Sequence, residues 1–121
     1  MPGIQFTQED IISAAELPAG WYPVVAKSIT EGAGKKDPTS TTWSCIFVIT
    51  GGEFKGREVM HWFSSKMMKN AIRYMKCFGV QPKVGESYPI EETVNRPLEA
   101  YCIWDIDNLN NVIKDFKPAG R

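Results

Sequence analysis

Between Lys66 and Phe78 the chain reads KMMKNAIRYMKCF, and this stretch decides the fold. Met67, Met68, Ala71, Ile72, Met75 and Phe78 recur at the steps that gather side chains on one side of an α-helix, while Lys66, Lys69, Arg73 and Lys76 fall on the other. Ser64 or Ser65 is placed to cap the start, where a hydroxyl accepts from an unpaired first-turn N–H. Gly79 is placed to end the helix, because glycine enters the left-handed conformation without a Cβ clash. The spacing predicts one amphipathic helix here.

The segments on either side read as strands. Upstream, Trp21–Thr30 (WYPVVAKSIT), Thr41–Thr50 (TTWSCIFVIT) and Gly56–Ser64 (GREVMHWFS) are rich in β-branched and aromatic residues. Pro18-Ala19-Gly20 breaks the chain before the first, and Pro23 confines that strand to an edge, a bulge or its own beginning. Glu31–Ser40 (EGAGKKDPTS) offers nothing to a core and reads as a mobile loop, whereas Gly51-Gly52-Glu53-Phe54-Lys55 is short enough for a hairpin. Downstream, Val80–Pro97 is a proline-punctuated excursion, followed by strands at Leu98–Ile106 (LEAYCIWDI) and Asn111–Phe116 (NVIKDF) with turn residues 107–110 between them. Residues 1–17 read as a loose arm with a short helix starting near Thr7, and 18–121 as one domain.

The resulting order is β-β-β-α-β-β. A helix between strands three and four is the order of the OB fold, a mostly β, five-stranded, partly open Greek-key barrel with the helix closing one end. An SH3-like barrel is the main competitor, and it places no amphipathic helix there. A chain of 121 residues suits one such domain.

Composition narrows the function classes. Fourteen basic residues balance fourteen acidic ones, so no global field draws the protein to nucleic acid or anionic membrane. The charge is uneven, however: seven basic residues and one acid, Glu58, lie between Lys55 and Lys83. No apolar run is long enough to cross a bilayer and the start, Met-Pro-Gly-Ile-Gln-Phe, lacks the pattern of a signal peptide, so a cytoplasmic location is expected. Cys45, Cys77 and Cys102 have no metal-ligand spacing and are expected to act as small buried hydrophobes. Glu91-Glu92 fall in the excursion, Asp105 and Asp107 flank a turn, and Gly32-Ala33-Gly34-Lys35-Lys36 lacks the ending of a phosphate-binding loop. Neither catalysis nor a cofactor nor a metal is expected.

OB barrels bind extended chains across strands two and three, helped by the loops between strands one and two and between four and five. Single strands are held by base stacking on aromatics within a basic groove. The candidates are Trp43, Phe47, His61 and Trp62 on the second and third strands and Trp104 on the fourth, with Lys35, Lys36, Lys55 and Arg57 for phosphates. Alternation leaves open which aromatics face inward, since both sets on the second strand are largely apolar. With four tryptophans in so small a domain, one or two of Trp43, Trp62 and Trp104 are expected at the surface.

Leu17-Pro18-Ala19-Gly20-Trp21-Tyr22 opens the first strand, the Lys-rich loop follows, and Thr50-Gly51-Gly52-Glu53-Phe54-Lys55-Gly56-Arg57 leads into an aromatic strand. With these features the chain, from about residue 17 onward, resembles small bacteriophage single-stranded-DNA-binding proteins with an OB fold, encoded among replication and recombination genes. The resemblance implies non-specific binding of single-stranded DNA in the host cytoplasm, with phage or host replication and recombination proteins as partners. Many proteins of that role recruit partners through an acidic tail. Residues 114–121, KDFKPAGR, are not one, so another route of recruitment or a longer natural chain is expected. A homodimer through exposed edge strands stays open. The rival expectation is a protein-interaction or virion-associated OB module using the same aromatic surface, which zero net charge favours.

Overall fold

A computed structural model describes residues 3–7, 17–33, 39–107 and 110–119. The helix expected near Thr7, the loop lysines Lys35 and Lys36 and part of the turn before the last strand lie outside these residues. The elements run β1 (Gly20–Ala33), β2 (Thr41–Ile49), β3 (Glu58–Ser64), α1 (Lys69–Lys76), a 3₁₀ turn (Ile90–Thr93), β4 (Pro97–Asp105) and β5 (Asn110–Pro118). The protein is thus mostly β, with five strands and one α-helix among the described residues in the order read from the sequence. No helix among them is long and apolar enough to cross a membrane.

The strands form one antiparallel sheet in the order β3-β2-β1-β4-β5. At 14 residues β1 is long enough to serve two neighbours. Gly20–Val25 pair with β4 and Val24–Ala33 with β2, so the halves overlap only at Val24 and Val25. A bulge between Ala26 and Ser28 adds local bend. The two end strands come within reach of each other: the Phe116 ring on β5 lies 5.4 Å from His61 and 6.0 Å from Phe63 on β3. No ladder joins them, and the sheet is not closed into a barrel.

Alternation sorts each strand into an inner and an outer set. Val24 and Ala26, Cys45, Phe47 and Ile49, Val59 and Phe63, Leu98, Ala100 and Cys102, and Ile113 and Phe116 face in. α1 lays Ala71, Tyr74 and Met75 over them. Tyr74 is fully buried, its ring 5.7 Å from Phe47, 5.3 Å from Phe63 and 5.2 Å from Phe116, so one helical side chain bridges β2, β3 and β5. Its hydroxyl donates to Thr93 Oγ1, which in turn donates to the Ile90 carbonyl at 2.7 Å, so both of these buried hydroxyls are met.

The helix departs from its reading at the N-terminal end. It begins three residues late, with Met68 at the cap and no side-chain cap bond. Ser64 instead holds the preceding turn, its Oγ accepting from the Lys66 N–H at 3.2 Å and its carbonyl from Met67 N–H at 2.9 Å. The buried stripe therefore centres on Tyr74, while Met67, Met68 and Ile72 are exposed. Gly79 does end the helical region, at φ +82°.

Candidate nucleic-acid interface

The outer face of β1, β2 and β3 is built from the residues that alternation leaves out of the core. Register places them in rows across the three strands. Thr30, Ser44 and Trp62 form one row, Ser28, Ile46 and Met60 the next, and Val25, Val48 and Glu58 the third. The row neighbours of Trp62 are small, and Trp62 is 51% exposed. Met60 is 47% exposed in the adjoining row.

Beyond the third row the face continues along β1. Thr50 closes the hairpin onto the Pro23 carbonyl, its N–H at 2.9 Å and its hydroxyl at 3.3 Å. Next on the same parity comes Trp21, 38% exposed. The Tyr101 ring on β4 meets it edge-on at 5.4 Å, and the Lys117 ammonium on β5 sits 4.6 Å from its centroid. Lys27, carried by the bulge, reaches across β2 to Glu58 at 2.8 Å, the two side chains being about half exposed.

No protein-family model matches the chain, and no curated protein is significantly similar to it.

Of the aromatic candidates, only Trp62 stands on this outer face. Phe47 is fully buried in the core and is corrected from a surface contact to a packing residue. His61 is corrected likewise: on the inner parity of β3 it lies 6.5 Å from Phe47, 4.8 Å from Phe63 and 5.4 Å from Phe116. Its Nε2 is buried with no hydrogen-bond partner among the described residues, and burial pushes its pKa down to about 4. Trp43 shares the inner parity at the start of β2, packs on the core and donates its indole N–H to Glu31 Oε1 at 3.2 Å. Trp43 also walls an apolar cavity of about 240 Å³ with Met68, Ile72, Met75, Tyr88 and Ile90. Trp104, half-buried, has the parity of Cys102 at the end of β4 and pairs with Asn111.

Lys55 and Arg57 stand away from Trp62. Lys55 is exposed and Arg57 half-buried in the β2–β3 hairpin, roughly 17 Å along β3 from Trp62 at the usual rise per residue. Arg57 Nε is buried and unpartnered among the described residues, and burial lowers its pKa. Lys35 and Lys36 belong to the loop whose flanks, Ala33 and Thr41, pair at the opposite end of β2. Trp21, Lys27, Met60 and Lys117 were not singled out from the sequence. Their signal was present in part, since Trp21, Pro23 and Val25 alternate with the buried Val24.

Chemically the face offers flat rings, apolar surface and exposed ammonium groups. The inner thiols stay protonated, burial holding Cys45 up to about 12 and Cys102 to about 11. Among the described residues no three His, Cys, Asp or Glu side chains form a metal-ligating group.

Proposed function

We propose that this chain is an OB-type domain that binds single-stranded DNA without sequence preference and catalyses no reaction, acting in phage replication, recombination or repair. The carrying observation is Trp62, half exposed on the outer face of β3 with only small neighbours in its row. An exposed indole on a sheet face is the part that base stacking requires, and each stack is worth about 1–3 kcal/mol. The OB reading is supported by the strand order, by end strands that meet through aromatic side chains, and by a helix laid across them. The ligand face of such a barrel is the outer face of strands two and three, where Trp62 and Met60 stand.

The test is tryptophan fluorescence during titration with oligo-dT at low and high salt, with duplex DNA as control. Salt-sensitive quenching by the single strand and little response to duplex is the expected result. No change with either ligand would overturn the proposal.

A second reading has its own observation. The cavity beside Trp43, flanked by exposed Met68 and Ile72, suits an apolar side chain of a partner protein, and zero net charge suits a protein partner as well as a nucleic acid. This reading expects a complex from phage-infected lysate that survives nuclease and is not displaced by oligonucleotides.

A further inference from the structure

We propose that Trp21 is a second stacking platform for the same single strand, which runs diagonally over the outer face from Trp62 on β3 to Trp21 at the start of β1. The inference rests on the single-strand reading above. It adds a binding residue on the opposite end of the face and sets the length of DNA needed to reach it.

The first argument is preorganisation. Trp21 keeps 38% of its surface exposed, yet its ring is held on two sides. Tyr101 braces the edge and the Lys117 ammonium covers the ring at 4.6 Å. A ring fixed in this way loses little freedom when a base stacks on it, so more of the stacking energy appears as affinity. Towards the β2–β3 hairpin, Trp21 and Pro23 wall a groove with Gly51–Phe54, where a base can enter.

The second argument is continuity. Starting from Trp21, the outward residues Pro23 and Val25 lead by register to Val48 and Ile46 on β2 and then to Met60 and Trp62 on β3. This is one apolar stripe with a tryptophan at each end, and the Lys27–Glu58 ion pair crosses it near the middle. A pair this exposed is weak, so a phosphate can take the Lys27 ammonium from Glu58. Lys27 and Lys117 thus supply cations along the stripe. Glu53 and Glu99 border the Trp21 end, which makes stacking the leading contact there and Lys117 the cation for the adjoining phosphate.

The third argument is length. At the usual strand rise and spacing, Trp21 and Trp62 are separated by roughly 28 Å over the sheet. At a stacked rise of ~3.4 Å per nucleotide, about eight nucleotides bridge that span, within the range of ~4–16 that one OB fold occupies.

The experiment measures binding of oligo-dT of about four and about twelve nucleotides to the wild-type chain and to Trp21→Leu, by fluorescence anisotropy of labelled DNA. The proposal expects Trp21→Leu to weaken the longer oligonucleotide by about fivefold or more and to leave the shorter one unchanged, which also shows that the variant is folded. Equal affinity of both proteins for the longer oligonucleotide would overturn the second platform while the single-strand reading stands. Equal weakening at both lengths would also overturn it, making Trp21 a support of the fold. Failure of the wild-type chain to bind either length would overturn the single-strand reading and this inference with it.

Discussion

Trp62 and Phe63 are neighbours in β3 and face opposite ways, the first 51% exposed beside Ser44 and the second 1% exposed against Tyr74. Their truncations should therefore separate binding from folding. Trp62→Ala is expected to weaken oligo-dT binding by about 1–3 kcal/mol with an unchanged urea midpoint. Phe63→Ala is expected to lower folding stability by about 3–5 kcal/mol, seen in the same urea unfolding curves.

His61 gives the fold a pH dependence of definite sign. In the unfolded chain it titrates near 6.5, while inside its cage of Phe47, Phe63 and Phe116 burial lowers it to about 4. Below pH 6.5 the unfolded chain binds a proton that the folded one refuses, so stability falls as pH drops from 6.5 towards 4 and is unaffected by this group above that window. The loss approaches about 3 kcal/mol at the lower end. Urea unfolding from pH 7 to pH 4 should show it, and His61→Phe should remove most of it.

Much of the fold was legible because its signals were local. The change from strand alternation to helical spacing after Ser64 marked α1, and Gly79 marked its end. What the sequence left ambiguous was inward against outward. On β2, Cys45, Phe47 and Ile49 alternate with Ile46 and Val48, two apolar sets of which only register with β1 and β3 selects the core one. Once Phe47 faces in, so must His61, and Trp62 faces out, as the expectation of a surface tryptophan required. Tyr74 was missed as the centre of the core because a hydroxyl reads as polar, and its partner Thr93 lies 19 residues away. The link from Trp21 to Trp62 was invisible for a similar reason: it exists only through pairing of three strands.

The loop lysines bear on the salt dependence. If Lys35 and Lys36 each meet a phosphate, Lys35→Ala/Lys36→Ala is expected to reduce the slope of log K against log salt by about 1.4 for a single strand. Anisotropy titrations over a salt series measure that slope, and an unchanged value would take the loop out of the interface.

The Lys27–Glu58 pair should matter more for binding than for stability. Both side chains are about half exposed, so Glu58→Gln should move the melting temperature little. It leaves Lys27 available to phosphate, and affinity for oligo-dT is expected to rise by up to about fivefold. Thermal melts and titrations of the same preparation check both halves.

The most direct test of the claim that the outer face of β3 holds single-stranded DNA follows the four indole N–H resonances by NMR as oligo-dT is added. Trp62 should shift most, and Trp43, packed inward and bonded to Glu31, should shift least. A bound complex in which Trp62 stays unmoved while Trp43 or Trp104 responds would contradict the account and place the ligand elsewhere on the protein.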